Sequence, residues 1–186
     1  MISKNNSRGI RVLAVACVAV AFFAVAVAGS HDHEDHADHG ASHDVEEHIA
    51  QLNKMCGETA EARTARQAEA PLYDRLGGYD KISALTTKIV NLHEQNEAIQ
   101  HVMVGVDGEL LAKHVADFVA SGTGGPQKYT GRDMVSAHKN LHLTDADFLA
   151  AGGDIVKAMQ SFDYGEEEIQ EVMCILVSLK DQVVLN

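Results

Sequence analysis

The chain has 186 residues, 46% of them apolar and 23% charged, with a formal net charge of -12. That is enough for one domain of ordinary size plus an extension, and too apolar for a wholly disordered chain. An acidic sequence with no basic cluster lacks the phosphate-neutralising surface of a nucleic-acid binder. Three cysteines with no CxxC pair make neither a disulfide scaffold nor a thioredoxin-like or thioether-forming site.

The first segment is residues 1–28. Lys4, Arg8 and Arg11 precede an unbroken apolar run from Val12 to Ala28, which closes on Ala26-Val27-Ala28. These are the three regions of a secretory signal peptide. An uncleaved membrane anchor is the alternative. Seventeen helical residues give about 25 Å, short of a hydrocarbon core of about 30 Å, which favours cleavage. The chain is therefore expected to be exported to the periplasm, or held at the membrane by this segment. Cys17 sits too far inside the run for lipoprotein processing.

The second segment, residues 29–70, opens HDHEDHADHGASHDVEEH. With almost nothing apolar to bury, it reads as a disordered or weakly helical acidic linker. Imidazoles at His31, His33, His36, His39 and His43 alternate with carboxylates, a donor set that binds Zn²⁺, Cu²⁺ or Ni²⁺ loosely without fixing a geometry. From Gln51 to Ala70 the composition turns to Ala, Glu, Arg and Gln, a linker or loose helix.

The third segment, residues 71–186, is the folded domain, with 17 acidic and 9 basic residues. Its apolar period is helical throughout. Ile82, Leu85, Ile89 and Leu92 form one stripe and Leu111, His114, Val115 and Phe118 a second. Phe148, Ile155, Met159 and Phe162 form a third; Ile169, Val172, Met173, Leu176 and Val177 form a fourth. Gly77-Gly78, Gly105 to Gly108, Gly122 to Pro126 and Tyr164-Gly165 punctuate them. Thr144 followed by Asp145 and Asp147 is a helix start. The domain is expected to be all-α, with about four main helices and one or two short ones. His114 and His138 sit among apolar neighbours on different helices. Each alone reads as an ordinary core or surface histidine, but two such residues can face a common ligand such as a haem.

Several motifs then point to a family. Leu72-Tyr73-Asp74-Arg75-Leu76-Gly77-Gly78 resembles the opening of group I truncated haemoglobins. Gly124-Gly125-Pro126, Tyr129-Thr130-Gly131-Arg132-Asp133-Met134 and Ala137-His138 resemble their approach to the proximal histidine. Leu143-Thr144-Asp145-Ala146-Asp147-Phe148 resembles the start of the next helix. The resemblance implies a truncated globin, a two-over-two helical sandwich around a b-type haem. It implies His138 as proximal iron ligand, with His142 as the rival one turn later. Val90, Met103, Leu111, Val115, Phe118, Tyr129 and Met134 are expected around the haem. Some members attach haem covalently through a histidine of the last helix; here the last histidine is His142, so that link cannot form.

The distal side departs from the family. Val90 stands where a hydrogen-bonding Tyr is usual, Met103 where a Phe wedges the haem, and Leu111 and Val115 at positions often filled by Gln. His114, where some cyanobacterial relatives carry a second iron ligand, is the one polar distal candidate. The resemblance therefore implies binding of O₂, NO or CO, with oxygen transport as the family default. A bis-histidyl protein exchanging electrons with a partner is the version these residues favour. A nitric oxide dioxygenase or peroxidase lacks its distal donors. A haem-free globin fold with a metal-buffering His-rich segment is the remaining alternative.

Overall fold

The computed structural model describes residues 38–185, so the apolar run 12–28 and His31, His33 and His36 lie outside the described residues. The helices are α1 (Asp38–Glu58), α2 (Ala60–Glu69), α3 (Leu72–Arg75), α4 (Gly78–Gln95), α5 (Gly108–Gly122), α6 (Met134–His138), α7 (Asp145–Ser161) and α8 (Glu166–Val183). A 3-10 turn, Gln100–Met103, lies between α4 and α5. The described residues contain no strand. The folded domain thus has four long helices joined by short ones, as its stripes and breakers predict.

The helix starts follow from local chemistry. Gly77 and Gly78 have φ of 88° and 79°, a left-handed backbone that admits glycine without strain, and α4 begins there. Asp107 caps α5 by accepting from the Leu110 amide at 3.0 Å. Asp133 caps α6 through the Ser136 amide at 2.9 Å. Thr144 and Asp147 form a reciprocal capping box on α7. Three glutamates in the first turn of α8 face the positive end of its dipole.

The core is Leu72, Leu76, Ile82, Leu85 and Ile89 packed on Ala116, Ala120, Ala158 and Met159. α4 packs against α5 and α7, and α7 against α8, giving two helix pairs. The α4–α5 seam is made by Ala112, Ala116 and Ala120, each at most 5% exposed. Side chains this small set a short interaxial distance. Leu111, His114, Val115 and Phe118, the stripe that stands out in the sequence, lie on a different flank of α5 and are only half-buried. The Gly152-Gly153 pair does not break α7. Gly152 is buried where an added Cβ would stand 3.1 Å from Met173 Cε, so glycine lets α7 lie close to α8.

The segment before Pro71 takes the helical alternative that the sequence left open and adds packing on the domain. Residues 38–69 are not an unstructured linker but two helices, α1 and α2, and α1 packs on α7 and α8. Val45, Ile49, Leu52, Met55 and Cys56 are half-buried along one side of α1. So thin an apolar stripe would not hold a helix in place alone. Two devices supply the rest. A Cys56–Cys174 disulfide, Cα–Cα 5.4 Å, joins α1 to α8. Glu171, 5% exposed on α8, accepts from Arg66 Nε of α2 at 2.8 Å and from Arg75 of α3, which also reaches Glu168 at 3.0 Å. The pairing of two arginines on one buried carboxylate satisfies a charge that would otherwise be costly to desolvate.

A second buried carboxylate ties α4 to α7. Asp154, 1% exposed, accepts from His93 Nδ1 at 3.1 Å, Asn96 Nδ2 at 2.9 Å and Lys157 Nζ at 3.1 Å. Burial raises the Asp154 carboxyl, but these three donors together outweigh it and hold the group below its usual range.

Two outcomes follow for stability. The disulfide closes a separation of 118 residues, so Cys56→Ser with Cys174→Ser should cost about 2–4 kcal/mol. Urea unfolding with and without reductant should show the loss in the wild type on reduction and no further loss in the double variant. Because the folded-state value of Asp154 lies below the unfolded value of about 4, its contribution is complete above that pH and disappears as pH falls through the lower, folded value. Asp154→Asn should cost about 2–3 kcal/mol at neutral pH and flatten that acid limb in a pH series of unfolding curves.

Candidate functional site

The site is built on α6, five residues long, and on the half-buried flank of α5. Tyr129 orders the approach to α6. Its hydroxyl donates to the Arg132 carbonyl at 2.7 Å, and its ring lies edge-on to Phe118 of α5 with centroids 5.2 Å apart and planes at 78°. An added Cβ on Gly131 would stand 2.4 Å from the Tyr129 hydroxyl, so only glycine allows this hook. The hook and the Asp133 cap set the direction of α6, on which Met134 and His138 are half-buried one turn apart.

His138 Nδ1 lies 2.8 Å from the Met134 carbonyl oxygen. A carbonyl only accepts, so Nδ1 carries the proton and donates. In the neutral ring this tautomer leaves Nε2 with the lone pair that binds a metal ion. His142 is differently placed. It lies beyond the end of α6, exposed, with φ of 50°.

On α5, His114 is half-buried between Leu111, Val115 and Phe118 and makes no hydrogen bond. The helix that carries it is pinned to α4 from the next turn. Asp117 accepts from Lys113 Nζ at 2.8 Å and from the Tyr79 hydroxyl of α4 at 2.7 Å. Those two donors, Lys113 first, hold the Asp117 carboxyl below its usual range, with a smaller contribution from His114. Val90 is buried on α4, where its Cγ1 lies 3.3 Å from the position of a Cβ on Gly108, the first residue of α5. Met103 is half-buried at the end of the 3-10 turn.

The structure brings Phe118 and Tyr129 into contact and sets His114, Leu111, Val115 and Phe118 along one flank of α5. His43 is exposed on α1, whose backbone also includes His39. Among the described residues, no group of three or more His, Cys, Asp or Glu side chains is arranged to hold a metal ion. No described helix is long and apolar enough to cross a membrane.

Sequence reasoning missed the Cys56–Cys174 bridge, the Arg66–Glu171–Arg75 cluster, the His93–Asp154 tie and the Tyr79–Asp117 tie. The bridge had a signal: apart from Cys17 in the apolar run, the sequence holds two cysteines, Cys56 and Cys174, an even number. The polar ties had none, because their partners are 38 to 105 residues apart in sequence.

Residues 71–185 match the bacterial-like globin family model. The chain is 30% identical over 108 residues to the group 1 truncated hemoglobin GlbN of Synechocystis, covering 56% of this chain and 87% of that protein. It is 23% identical over 122 residues to the corresponding protein of Mycolicibacterium paratuberculosis, covering 66% and 90%. Among solved structures, the 2/2 hemoglobin of Synechococcus sp. PCC 7002, in the cyanomet state with covalently attached heme, superposes with a TM-score of 0.59 at 28% identity, over 63% of this chain and 100% of that one. The truncated hemoglobin of Tetrahymena pyriformis, at 22% identity and a TM-score of 0.57, shares the fold over 62% of this chain and 98% of its own. The helix order, the two packed pairs and a match that covers the whole segment after Pro71 make this chain a member of the bacterial-like globin family.

Proposed function

We propose that the chain is an exported haem protein that binds a diatomic gas, with His138 as the proximal ligand to the iron. The observation that carries this is the His138 Nδ1 contact with the Met134 carbonyl, which fixes the tautomer and leaves Nε2 as the donor. Haem iron takes a neutral imidazole on its axial side, oriented by a bond from the other ring nitrogen. The donor set therefore fits the group. The half-buried flank of Leu111, Val115 and Phe118 supplies apolar surface for a macrocycle, and the Phe118–Tyr129 contact closes one end of it. A bound haem would supply an iron centre for O₂, NO or CO; the protein supplies the imidazole, the apolar walls and whatever meets the gas. A covalent haem link through the last helix is absent here, since α8 holds no histidine.

Export is supported by the basic start and apolar run of residues 1–28, and by the Cys56–Cys174 bridge, since such bonds persist in oxidising compartments.

A second reading concerns the gas side. Val90, Leu111 and Val115 offer bound O₂ no hydrogen bond, and the one polar group on that flank, His114, has no hydrogen-bond partner. A half-buried imidazole without one costs about 1–3 kcal/mol if it stays dry. A bond from His114 to a haem iron would relieve that cost and give the centre two histidine ligands, suited to electron exchange.

His138→Ala should abolish stable haem uptake, read as loss of the Soret band, while His142→Ala keeps it. The reverse pattern would move the ligand to His142. For the second reading, the reduced, gas-free spectrum should be six-coordinate and low-spin in wild type and five-coordinate in His114→Leu. A five-coordinate wild type would leave simple gas binding.

A further inference from the structure

The basic residues of this acidic chain are unevenly committed. Among the described residues, Lys54, Arg63, Arg66, Arg75, Lys113, Lys157 and Lys180 hold side-chain partners. Lys81, Lys88, Lys128, Arg132 and Lys139 hold no side-chain hydrogen bond or ion pair, and three of these five fall within twelve residues. That stretch contains one acid, Asp133, whose carboxylate is the α6 cap.

The stretch is folded so that α6 has two characters. Met134 and His138 are half-buried on its inner side. Arg132 just before the helix, Val135 within it and Lys139 at its C-cap are exposed. Val135 is 43% exposed, and Leu141 just beyond the helix is 38% exposed. An apolar centre with a basic rim is thus displayed on the back of the helix that carries His138. Protein interfaces share this anatomy of apolar core and polar rim.

We propose that Arg132, Val135 and Lys139, extended by Lys128 and Leu141, form the docking surface for an acidic one-electron carrier protein. This rests on the haem-binding reading above. The carrier would give up one electron, and a ferric haem held by His138 would accept it and be reduced to the ferrous level, with no bond or proton moved. Charge supplies the orientation. Residues 127–142 carry a net +2 while the whole chain carries -12, so an acidic partner is repelled by the rest of the surface and tolerated on this face. At physiological salt the screening length is about 8 Å, which leaves contacts at the patch effective and mutes distant acids. A lipid surface fits less well. Three basic residues give only weak adhesion to an anionic membrane against the repulsion of an acidic body.

The test titrates oxidised flavodoxin, an acidic flavin carrier, into the haem-loaded full chain at 0.15 M salt by calorimetry. Arg132→Glu with Lys139→Glu should weaken binding about tenfold or more, Val135→Ser a few-fold, and Lys88→Glu, on α4, not at all. The Soret absorbance per protein should be the same in all of them. Equal binding by every variant, no binding by wild type, or an equal loss in Lys88→Glu overturns the proposal. So does loss of the Soret band in the double variant, which would assign these residues to holding the haem. Tighter binding to phosphatidylglycerol vesicles than to flavodoxin overturns it in favour of a membrane. Wild type without a Soret band but with flavodoxin binding that the double variant weakens would keep the surface and defeat only the haem reading.

Discussion

The close approach of α4 and α5 through Ala112, Ala116 and Ala120 is the constraint on which the rest of the structure depends. A helix has one side to give to a neighbour. By using its smallest residues for that neighbour, α5 leaves its larger apolar residues for something else. Leu111, Val115 and Phe118 are then half-buried, a state that is costly unless a ligand or another element completes the burial. The Tyr79–Asp117 tie fixes the same choice, since a rotation of α5 toward a better-buried Leu111 would pull Asp117 off the Tyr79 hydroxyl of α4. Packing and hydrogen bonding thus agree on one orientation, and it is the one that keeps the His114 flank available.

Across the site, α6 is too short to hold itself. An isolated helix of five residues does not persist in water. Its direction is imposed from the N-terminal end by the Asp133 cap and the Tyr129 hook, and from α8, against which it packs. The short element is therefore placed by its flanks, which explains why the motif residues that carry the family likeness lie mostly before His138 rather than on the helix itself. The His138 Nδ1 bond is an intrahelical one, so whatever orients α6 also orients the free nitrogen.

How much of this was legible in the sequence divides by range. Helix positions were readable because their signals are local: the Ile82–Leu85–Ile89 stripe, the Gly77-Gly78 break and the Thr144 cap all act within one or two turns. Which side of α5 faces α4 was not, because three alanines are a weak hydrophobic signal beside Leu111, Val115 and Phe118, and size rather than hydrophobicity decides a close seam. The docking of residues 38–69 on the domain was also hidden. Their composition is that of a solvated linker, and what fixes them in place is a covalent bond and the Arg66–Glu171 contact with α8, more than a hundred residues away. At the candidate site, His138 was nominated by the family resemblance, whereas its Nδ1 contact depends on the helical turn that brings the Met134 carbonyl within 2.8 Å.

The N-terminal helices also bear on what the site can do. α1 packs on α7 and α8, which form the opposite pair from α4 and α5. Covalent attachment there stiffens one wall of the two-pair arrangement and leaves the α5 wall held by the alanine seam and one hydrogen-bonded tie. On the proposed reading, adjustment to a gas or to His114 falls on the α5 side. The consequence for gas binding is quantitative. If His114 occupies the iron nine-tenths of the time, the competent fraction is one-tenth and the apparent gas affinity falls about tenfold. No distal donor returns that loss, because Val90, Leu111 and Val115 have none to give. On that reading the chain would trade gas affinity for a centre held by two of its own side chains, His138 and His114. Such a centre keeps the same ligands on gaining or losing an electron, and it suits a docking face placed on the outer side of α6.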